Sequence, residues 1–203
     1  MSKIDFKKVL KQLYGASPKE PVIVDVPTMN YLMIDGTGDP NTAPEYMDAI
    51  ETLYPVAYGL KFMIKKGESA IDYVVMPLEG FWWTDNMSQF SAKNKAAWKW
   101  TMLIMQPEFV TENLFRQGLE QVVKTKNPPS AKKIRFESYN EGRSAQIMHI
   151  GPYSEEAPTI ARLHDFIKEE GLRLMGKHHE IYLGDPRKTA PERLKTIIRQ
   201  PVE

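Results

Sequence analysis

TMLIMQP at residues 101–107 and TIIRQP at residues 196–201 are two strand-like segments with similar amino-acid sequences in a chain of 203 residues. Each one closes a series of elements in the order strand, helix, strand, strand. This repetition predicts an α+β fold of tandem duplicated βαββ units related by a pseudo-twofold axis. Because ligand sites commonly form in clefts between such units, we also predict a central ligand cleft. A chance likeness between two unrelated α+β stretches is the alternative.

The first half carries the signals for two helices and four strands. The expected helices cover residues 2–14 and 42–66, and the expected strands cover residues 22–26, 31–37, 71–76 and 97–105. A turn at residues 27–30 separates the first two strands. Thr42 is the expected N-cap of the long helix, which Pro55 is expected to kink. Residues 1–20 are thus a helical extension, and the first repeat spans about residues 21–107.

The second half repeats this order over about residues 108–203, so that the main domain covers residues 21–203. The expected helices cover residues 109–126 and 154–170, and the expected strands cover residues 134–139, 143–150, 178–183 and 194–200. A tight turn at residues 140–142 separates the first two of these strands. Ser154 is the expected cap of the second of the two helices.

Composition narrows the class of protein. Hydrophobic residues make up 42% and charged residues 26% of the chain, and the formal net charge is +1. So small a net charge gives no long-range attraction to nucleic acids or anionic membranes, and we expect neither as a partner. The chain has no cysteine, which excludes disulfides and thiol catalysis. Without a signal peptide or a long apolar run, a cytoplasmic protein is expected.

The segment 178–186, HHEIYLGDP, places a carboxylate in a predicted strand. Alternate side chains of a strand share a face, so His178, Glu180 and Tyr182 point to the same side. If this face lines a pocket, its carboxylate and phenol could attract a cation or activate a water molecule. An exposed edge-strand glutamate is the alternative reading.

Glu180 and Tyr182 are the candidate catalytic residues. Burial in an apolar pocket raises the pKa of a carboxyl group, and a pKa near neutrality suits a general base. The Tyr182 hydroxyl could orient Glu180, or could donate to a ligand carbonyl as charge develops there. The alternative for Tyr182 is a core tyrosine with a structural hydrogen bond.

Aromatic residues supply candidate walls for a ligand. All four tryptophans fall between residues 82 and 100, and Trp98, Trp100 and Met102 alternate along one predicted strand. Indole faces stack on flat ligands and attract cations. The candidate ligand-binding residues on this side are Trp82, Trp83, Trp98, Trp100 and Met102. Ordinary core packing is the alternative for each of them.

Other polar residues have weaker signals. His149, Tyr153 and His178 are further candidate ligand-binding residues. Glu79 is either a second acid of the cleft or a partner of backbone amides in its turn. The histidine spacing matches no common metal-ligand pattern, so we expect no metal.

The chain resembles the GyrI-like small-molecule-binding domain, which also serves as the effector-binding part of multidrug-responsive transcription regulators. The resemblance rests on HIGPY at 149–153, HEIYL at 179–183, DP at 185–186, PLEGFWW at 77–83 and MQP at 105–107. It implies a tandem βαββ fold, an aromatic cleft, and a buried glutamate in that cleft, which Glu180 matches.

The resemblance also carries functional implications. Some standalone members of the family are hydrolases that open the cyclopropane ring of DNA-alkylating compounds, where a carboxylate activates water and a tyrosine assists. The regulators carry a DNA-binding domain before this one, whereas only about twenty residues precede the first predicted strand here. The leading expectation is a standalone protein that binds bulky aromatic or cationic small molecules in a Trp- and Tyr-lined cleft. It is also expected to hydrolyse cyclopropane-bearing alkylators as a detoxification activity, without a cofactor. The alternatives are a protein that only sequesters drugs, and a gyrase-inhibitor-like protein acting by protein contact.

Overall fold

The computed structural model describes residues 3–87, 90 and 94–203; Ser2, where the predicted N-terminal helix starts, lies outside them. In chain order the elements are helices α1 (Phe6–Val9) and α2 (Lys11–Tyr14), strand β1 (Val22–Thr37), helix α3 (Pro44–Lys66), strands β2 (Leu78–Trp83) and β3 (Lys99–Gln106), helix α4 (Glu112–Lys126), strand β4 (Arg135–Ile150), helix α5 (Ala157–Glu169), and strands β5 (His178–Tyr182) and β6 (Lys195–Pro201). Both halves run strand, helix, strand, strand, which confirms the predicted mixture and order. An origin by duplication stays a prediction.

The strands form one closed sheet in the order β1-β3-β2-β5-β6-β4. In each half the first strand pairs with the third in antiparallel fashion: β1 pairs with β3 from Asn30 to Thr37, and β4 pairs with β6 from Ser144 to Ile150. Strand β5 also pairs antiparallel with β6, so that Tyr182 lies beside Thr196. The segment that carries the candidate residues Glu180 and Tyr182 is therefore paired with a neighbouring strand from His179 to Tyr182.

Strands β1 and β4 correct the sequence-based expectation, which was two strands and a turn in each place. Both strands run without a break for 16 residues. Pro27 lies outside the part of β1 that pairs with β3, so that ladder does not need its missing N–H. Gly142 has φ +71°, which lets β4 bend at the predicted turn without ending. At these two places the turn-forming residues lie within a continuous strand and do not end it.

The predicted strand at residues 71–76 is also wrong. Only Tyr73 forms a bridge in this segment, with Ile4, and the strand of this region is β2, a few residues later. Tyr73 and Met76 are nonetheless buried. The segment is therefore apolar because an extended chain packs against the core there. Strand propensity alone does not distinguish such a segment from a strand that is hydrogen-bonded into a sheet.

The helix starts differ from the predicted ones more than the helix ends do. Helix α3 begins at Pro44 with Ala43 as N-cap, so Thr42 is not the cap; Pro55 lies inside the helix as expected. Helix α4 is capped by Thr111, whose hydroxyl accepts a hydrogen bond from the Leu114 amide at 3.3 Å. Helix α5 starts after a 3₁₀ turn at Tyr153–Glu155, not at Ser154. The expected N-terminal helix is two helices of four residues each.

The chain divides into two compact units. The first comprises Met1–Phe6, Met29–Met76 and Trp82–Tyr139, and the second comprises Lys7–Thr28, Pro77–Phe81 and Asn140–Glu203. The first unit buries the inner face of α3 and nearly all of β3. The core of the second unit includes a cluster formed by Ala145, Ile147, Leu163, Ile167, Ile198 and Val202. Within the part of the chain described, no helix combines the length and apolar character that a membrane crossing requires.

Candidate functional site

Strand β5 presents a compact polar cluster in the second unit. Glu180 has a side chain only 15% exposed, and its two carboxylate oxygens have different partners. The His178 Nε2 lies 3.0 Å from Oε1, and the Tyr182 hydroxyl donates to Oε2 at 2.7 Å. The sequence prediction that these three side chains share a face is thus confirmed by direct contacts. Side chains two residues apart on a strand point to the same side of the sheet, which brings these three together.

The charge of Glu180 differs from the sequence-based expectation. Burial acts to raise the pKa of its carboxyl group, but the hydrogen bond and the charge of His178, with the Tyr182 hydrogen bond, outweigh burial and hold the pKa below its ordinary value. The expectation of a pKa raised towards neutrality was wrong because it considered burial without these two partners. Glu180 is therefore a carboxylate at neutral pH, suited to accept a proton or to attract a cation.

Tyr153 joins this cluster, whereas His149 has a different environment. The Tyr153 and Tyr182 rings meet edge to face with centroids 5.5 Å apart, and Tyr153 is 39% exposed. His149 is buried, with Nδ1 2.9 Å from the Thr159 hydroxyl and Nε2 3.2 Å from the Pro152 carbonyl. These contacts fix the loop that carries Tyr153. A ligand-binding role for either residue stays a prediction.

The predicted aromatic wall forms a cluster in the first unit. Trp82 lies 5.5 Å from Trp98 and 6.0 Å from Tyr46, and Tyr46 lies edge to face with Trp100 at 5.5 Å. Phe90 stacks on Trp98 at 4.9 Å. The structure thus brings together three of the four tryptophans and adds two aromatic rings that the sequence did not single out.

Exposure divides the predicted wall residues into two groups. Trp83 and Trp98 are half-buried, whereas Trp82 is buried and Trp100 and Met102 have no exposed surface. The expected alternation along β3 is absent, because the strand is buried on both faces from Trp100 to Gln106. Direct contact with a ligand is therefore best supported for Trp83 and Trp98, and stays a prediction for all five.

A second polar network, buried in the second unit, has no counterpart among the sequence predictions. His179 lies with Nε2 2.9 Å from Glu79 Oε2 and Nδ1 2.9 Å from Glu141 Oε1. Glu141 also accepts from Arg199 at 3.1 Å, and Glu79 accepts from the Tyr14 hydroxyl at 2.8 Å. Two cations and two anions therefore balance inside the unit, on strands β2, β4, β5 and β6.

The protonation states of this network follow from its geometry. Both His179 ring nitrogens face carboxylates, so both must donate, and the imidazole is protonated. Burial acts to lower the pKa of His179, but Glu141 and Glu79 outweigh it and raise the pKa. Burial likewise acts to raise the pKa of Glu141, but His179 and Arg199 hold it at about 2. The network thus fixes β5 immediately beside Glu180.

The contacts of Glu79 match neither of the two roles predicted for it, which were a second acid of the cleft and a partner of backbone amides. Its side chain is fully buried and binds the side chains of Tyr14 and His179, not backbone amides. Its partners are 65 and 100 residues away in sequence. Of the four charged residues of this network, only His179 and Arg199 lie in predicted strands, and the need of a buried charge for a partner was the one signal that the sequence offered. Across residues 3–87, 90 and 94–203, no three acidic or histidine side chains are grouped so as to hold a metal ion.

Comparison with known proteins identifies the family. Residues 19–203 match the GyrI-like small molecule binding domain. This match covers most of the chain, and the chain therefore belongs to the GyrI-like family. A comparison with curated proteins found no match.

Solved structures support this assignment and add a functional indication. An uncharacterised conserved protein from Listeria innocua is 45% identical, with a TM-score of 0.91. The match covers 99% of this chain and 100% of that one. A hydrolase from the same organism is 44% identical, with a TM-score of 0.89 and full coverage of both chains. The C-terminal domain of EcmrR is 14% identical, with a TM-score of 0.54 over 91% of this chain and 97% of that one, and shares the fold.

Proposed function

We propose that this protein binds bulky aromatic or cationic small molecules and hydrolyses cyclopropane-bearing DNA-alkylating compounds, which protects the cell from them. The hydrogen-bonded carboxylate of Glu180 carries the proposal, because it is charged, mostly buried and held in one orientation. Membership of a small-molecule-binding family and the 44% identity to proteins described as hydrolases support it.

Glu180 acts as a general base in the proposed reaction. The carboxylate takes a proton from water while the water oxygen forms a bond to a ring carbon of the cyclopropane. The ring C–C bond breaks, and its electron pair passes into the conjugated carbonyl, whose oxygen then takes up a proton from solvent. Glu180 releases its proton to solvent, which restores the carboxylate. A carboxylate that is desolvated and positioned in advance lowers the barrier of such a step.

His178 and Tyr182 are positioning residues in this scheme. Each one binds a different oxygen of Glu180, which fixes the plane of the carboxylate. Because the Tyr182 hydroxyl hydrogen is directed at Glu180, the geometry supports orientation of the base over donation to a ligand carbonyl. Trp83 and Trp98 are proposed to hold flat apolar ligands, since both retain exposed indole surface.

Ring opening in the presence of the purified protein tests the proposal. We expect mass spectrometry to detect a product heavier than a cyclopropane-bearing alkylator by one water molecule. Glu180→Gln keeps the shape of the side chain but removes the base, and general-base catalysis is typically worth about 10²–10⁴-fold in rate. Glu169→Gln, at an exposed position of α5, is the matched control. Unchanged turnover in Glu180→Gln excludes Glu180 as the base.

A protein that only binds its ligands is the second candidate. The ionised state of Glu180 favours it, because a charged carboxylate beside aromatic rings suits a cationic aromatic compound. Tryptophan fluorescence quenching by planar cations measures this binding directly. Saturable quenching without any ring opening supports a sequestering protein, whereas binding to gyrase without either effect supports an inhibitor that acts by protein contact.

A further inference from the structure

Helix α3 carries an exposed apolar stripe on its outer face. We call Met47, Tyr54, Tyr58 and Phe62 the α3 stripe. Met47, Tyr58 and Phe62 are 52%, 45% and 48% exposed. The Tyr54 and Tyr58 rings lie 6.4 Å apart, and the Tyr58 and Phe62 rings stack at 6.4 Å, so the rings form a continuous ladder. Its members recur at helical spacing over about 22 Å of helix axis.

The core of the first unit does not account for this stripe. The residues that α3 buries include Leu53, Val56, Leu60 and Ile64, which lie on the opposite side of the helix. A helix in a globular protein normally presents charged residues on the side away from its core. Contiguous exposed apolar surface of this kind marks a contact with another molecule.

The charges along the α3 stripe are arranged symmetrically about Tyr58. Glu51 lies seven residues before Tyr58 and Lys65 lies seven residues after it. Tyr54 and Phe62 lie four residues to either side. Seven residues correspond to about 10 Å along a helix. If a second α3 crosses antiparallel with the two Tyr58 residues in contact, each Glu51 meets the other chain's Lys65, and each Tyr54 meets the other chain's Phe62.

This pattern is what a twofold homodimer contact requires, since such a contact buries the same patch on both chains. A shallow groove of about 260 Å³ lies along the α3 stripe between α3 and α4, and the residues that line it include Tyr58, Gly59, Phe62, Gln121 and Val122. Gly59 lets α3 and α4 approach closely beneath this groove, because a Cβ at position 59 would lie only 2.6 Å from Cγ2 of Val122.

We propose that the α3 stripe is the contact surface of a homodimer in which two α3 helices pack antiparallel about Tyr58. The occupant is a second copy of this chain, because the order of acid, aromatic residues and base along the helix is complementary to itself. A contact of one helix on one helix is small compared with stable interfaces, so the dimer is expected to have a dissociation constant of about 1 μM or higher. This proposal is independent of the hydrolytic function.

Sedimentation velocity of the full chain over about 1 μM to about 1 mM measures the dimer. We expect a concentration-dependent shift from monomer to dimer. Tyr58→Glu places two carboxylates at the centre of the contact, and we expect it to raise the dissociation constant by about tenfold or more. Glu45→Lys changes a charge in the first turn of the same helix, outside the stripe, and is the control for folding and net charge.

A charge-exchange experiment tests the antiparallel register. Glu51→Lys places a new ammonium group against Lys65 of the second copy, and Lys65→Glu places a new carboxylate against Glu51 of the second copy, so each variant alone is expected to lose the dimer. In an equimolar mixture of the two variants, both contacts between positions 51 and 65 of an antiparallel heterodimer join groups of opposite charge, so the mixture is expected to dimerise. The double variant Glu51→Lys with Lys65→Glu restores opposite charges on both sides of the antiparallel contact and is expected to restore the dimer. Asp72, which binds Lys65 at 2.7 Å, keeps Lys61 at 3.4 Å as a partner when Lys65 is replaced.

The outcomes separate clearly. Dimerisation of the double variant, with loss of the dimer in Tyr58→Glu but not in Glu45→Lys, supports the proposed contact. A chain that stays monomeric up to about 1 mM overturns it. A dimer that Tyr58→Glu leaves unchanged also overturns it, because the contact then lies elsewhere. Loss of the dimer in Tyr58→Glu without recovery in the double variant overturns the antiparallel register.

Discussion

Replacement of Glu141 by glutamine is expected to remove a pH-dependent part of the stability of the protein. Glu141 is buried in the second unit, where it binds His179 at 2.9 Å and Arg199 at 3.1 Å. Glutamine has nearly the same shape but no charge, so it leaves both cations with too little compensation. Removal of one partner from a buried ion pair typically destabilises a protein by about 3–5 kcal/mol, and we expect a loss of this size near neutral pH.

The pH dependence follows from the pKa of Glu141. That pKa falls from an ordinary 4.5 to about 2 in the folded protein. A difference of this size corresponds to about 3 kcal/mol of stabilisation. Since the folded pKa is the lower one, this stabilisation is fully present above pH 4.5 and is lost as the pH falls towards 2. The stability difference between the original chain and Glu141→Gln should shrink by that amount over this range.

Urea unfolding followed by far-ultraviolet circular dichroism, repeated between about pH 6 and about pH 2, measures the two stability curves. Glu169→Gln, an exposed substitution, is expected to stay parallel to the original chain throughout. Parallel curves for Glu141→Gln and the original chain between these pH values would refute the reasoning, because Glu141 would then bind its proton equally well in both states.

Three further predictions concern packing, capping and the site. Gly36→Ala places a methyl group onto the indole ring of Trp100, and should lower the unfolding free energy by about 1–3 kcal/mol in thermal or urea unfolding. Thr111→Ala removes the N-cap of α4 and should cost about 1 kcal/mol in the same measurement. Tyr182→Phe removes a donor that lowers the pKa of Glu180, so the acidic limb of an activity–pH profile should move to higher pH.

Each of these predictions has an internal control. Gly184→Ala introduces the same methyl group where it meets only ordinary van der Waals contacts, and should change stability less than Gly36→Ala. Thr42→Ala alters the residue that the sequence favoured as a cap but that the structure does not use, and should change stability less than Thr111→Ala. An acidic limb that does not move in Tyr182→Phe contradicts the role of that hydrogen bond.

The order of elements and the face that carries Glu180 could be predicted because both depend on local patterns. Strand periodicity of two places His178, Glu180 and Tyr182 together whatever their surroundings. The breaks predicted at Pro27 and Gly142 failed because whether such a residue ends a strand or only bends it depends on the pairing of its neighbours. The pKa of Glu180 was predicted in the wrong direction because the partners, not burial, decide it.

The sequence by itself determined the mixture and order of helices and strands, the family through its motifs, and the group of three side chains on β5. These features arise from residues close together in the chain, where spacing dictates direction. Only the tertiary structure decided that Glu79, Glu141 and Arg199 enclose His179, because these residues come from four different strands and meet only when the sheet forms. Only the fold also decided which side of α3 is covered by the core and which side keeps its aromatic residues exposed.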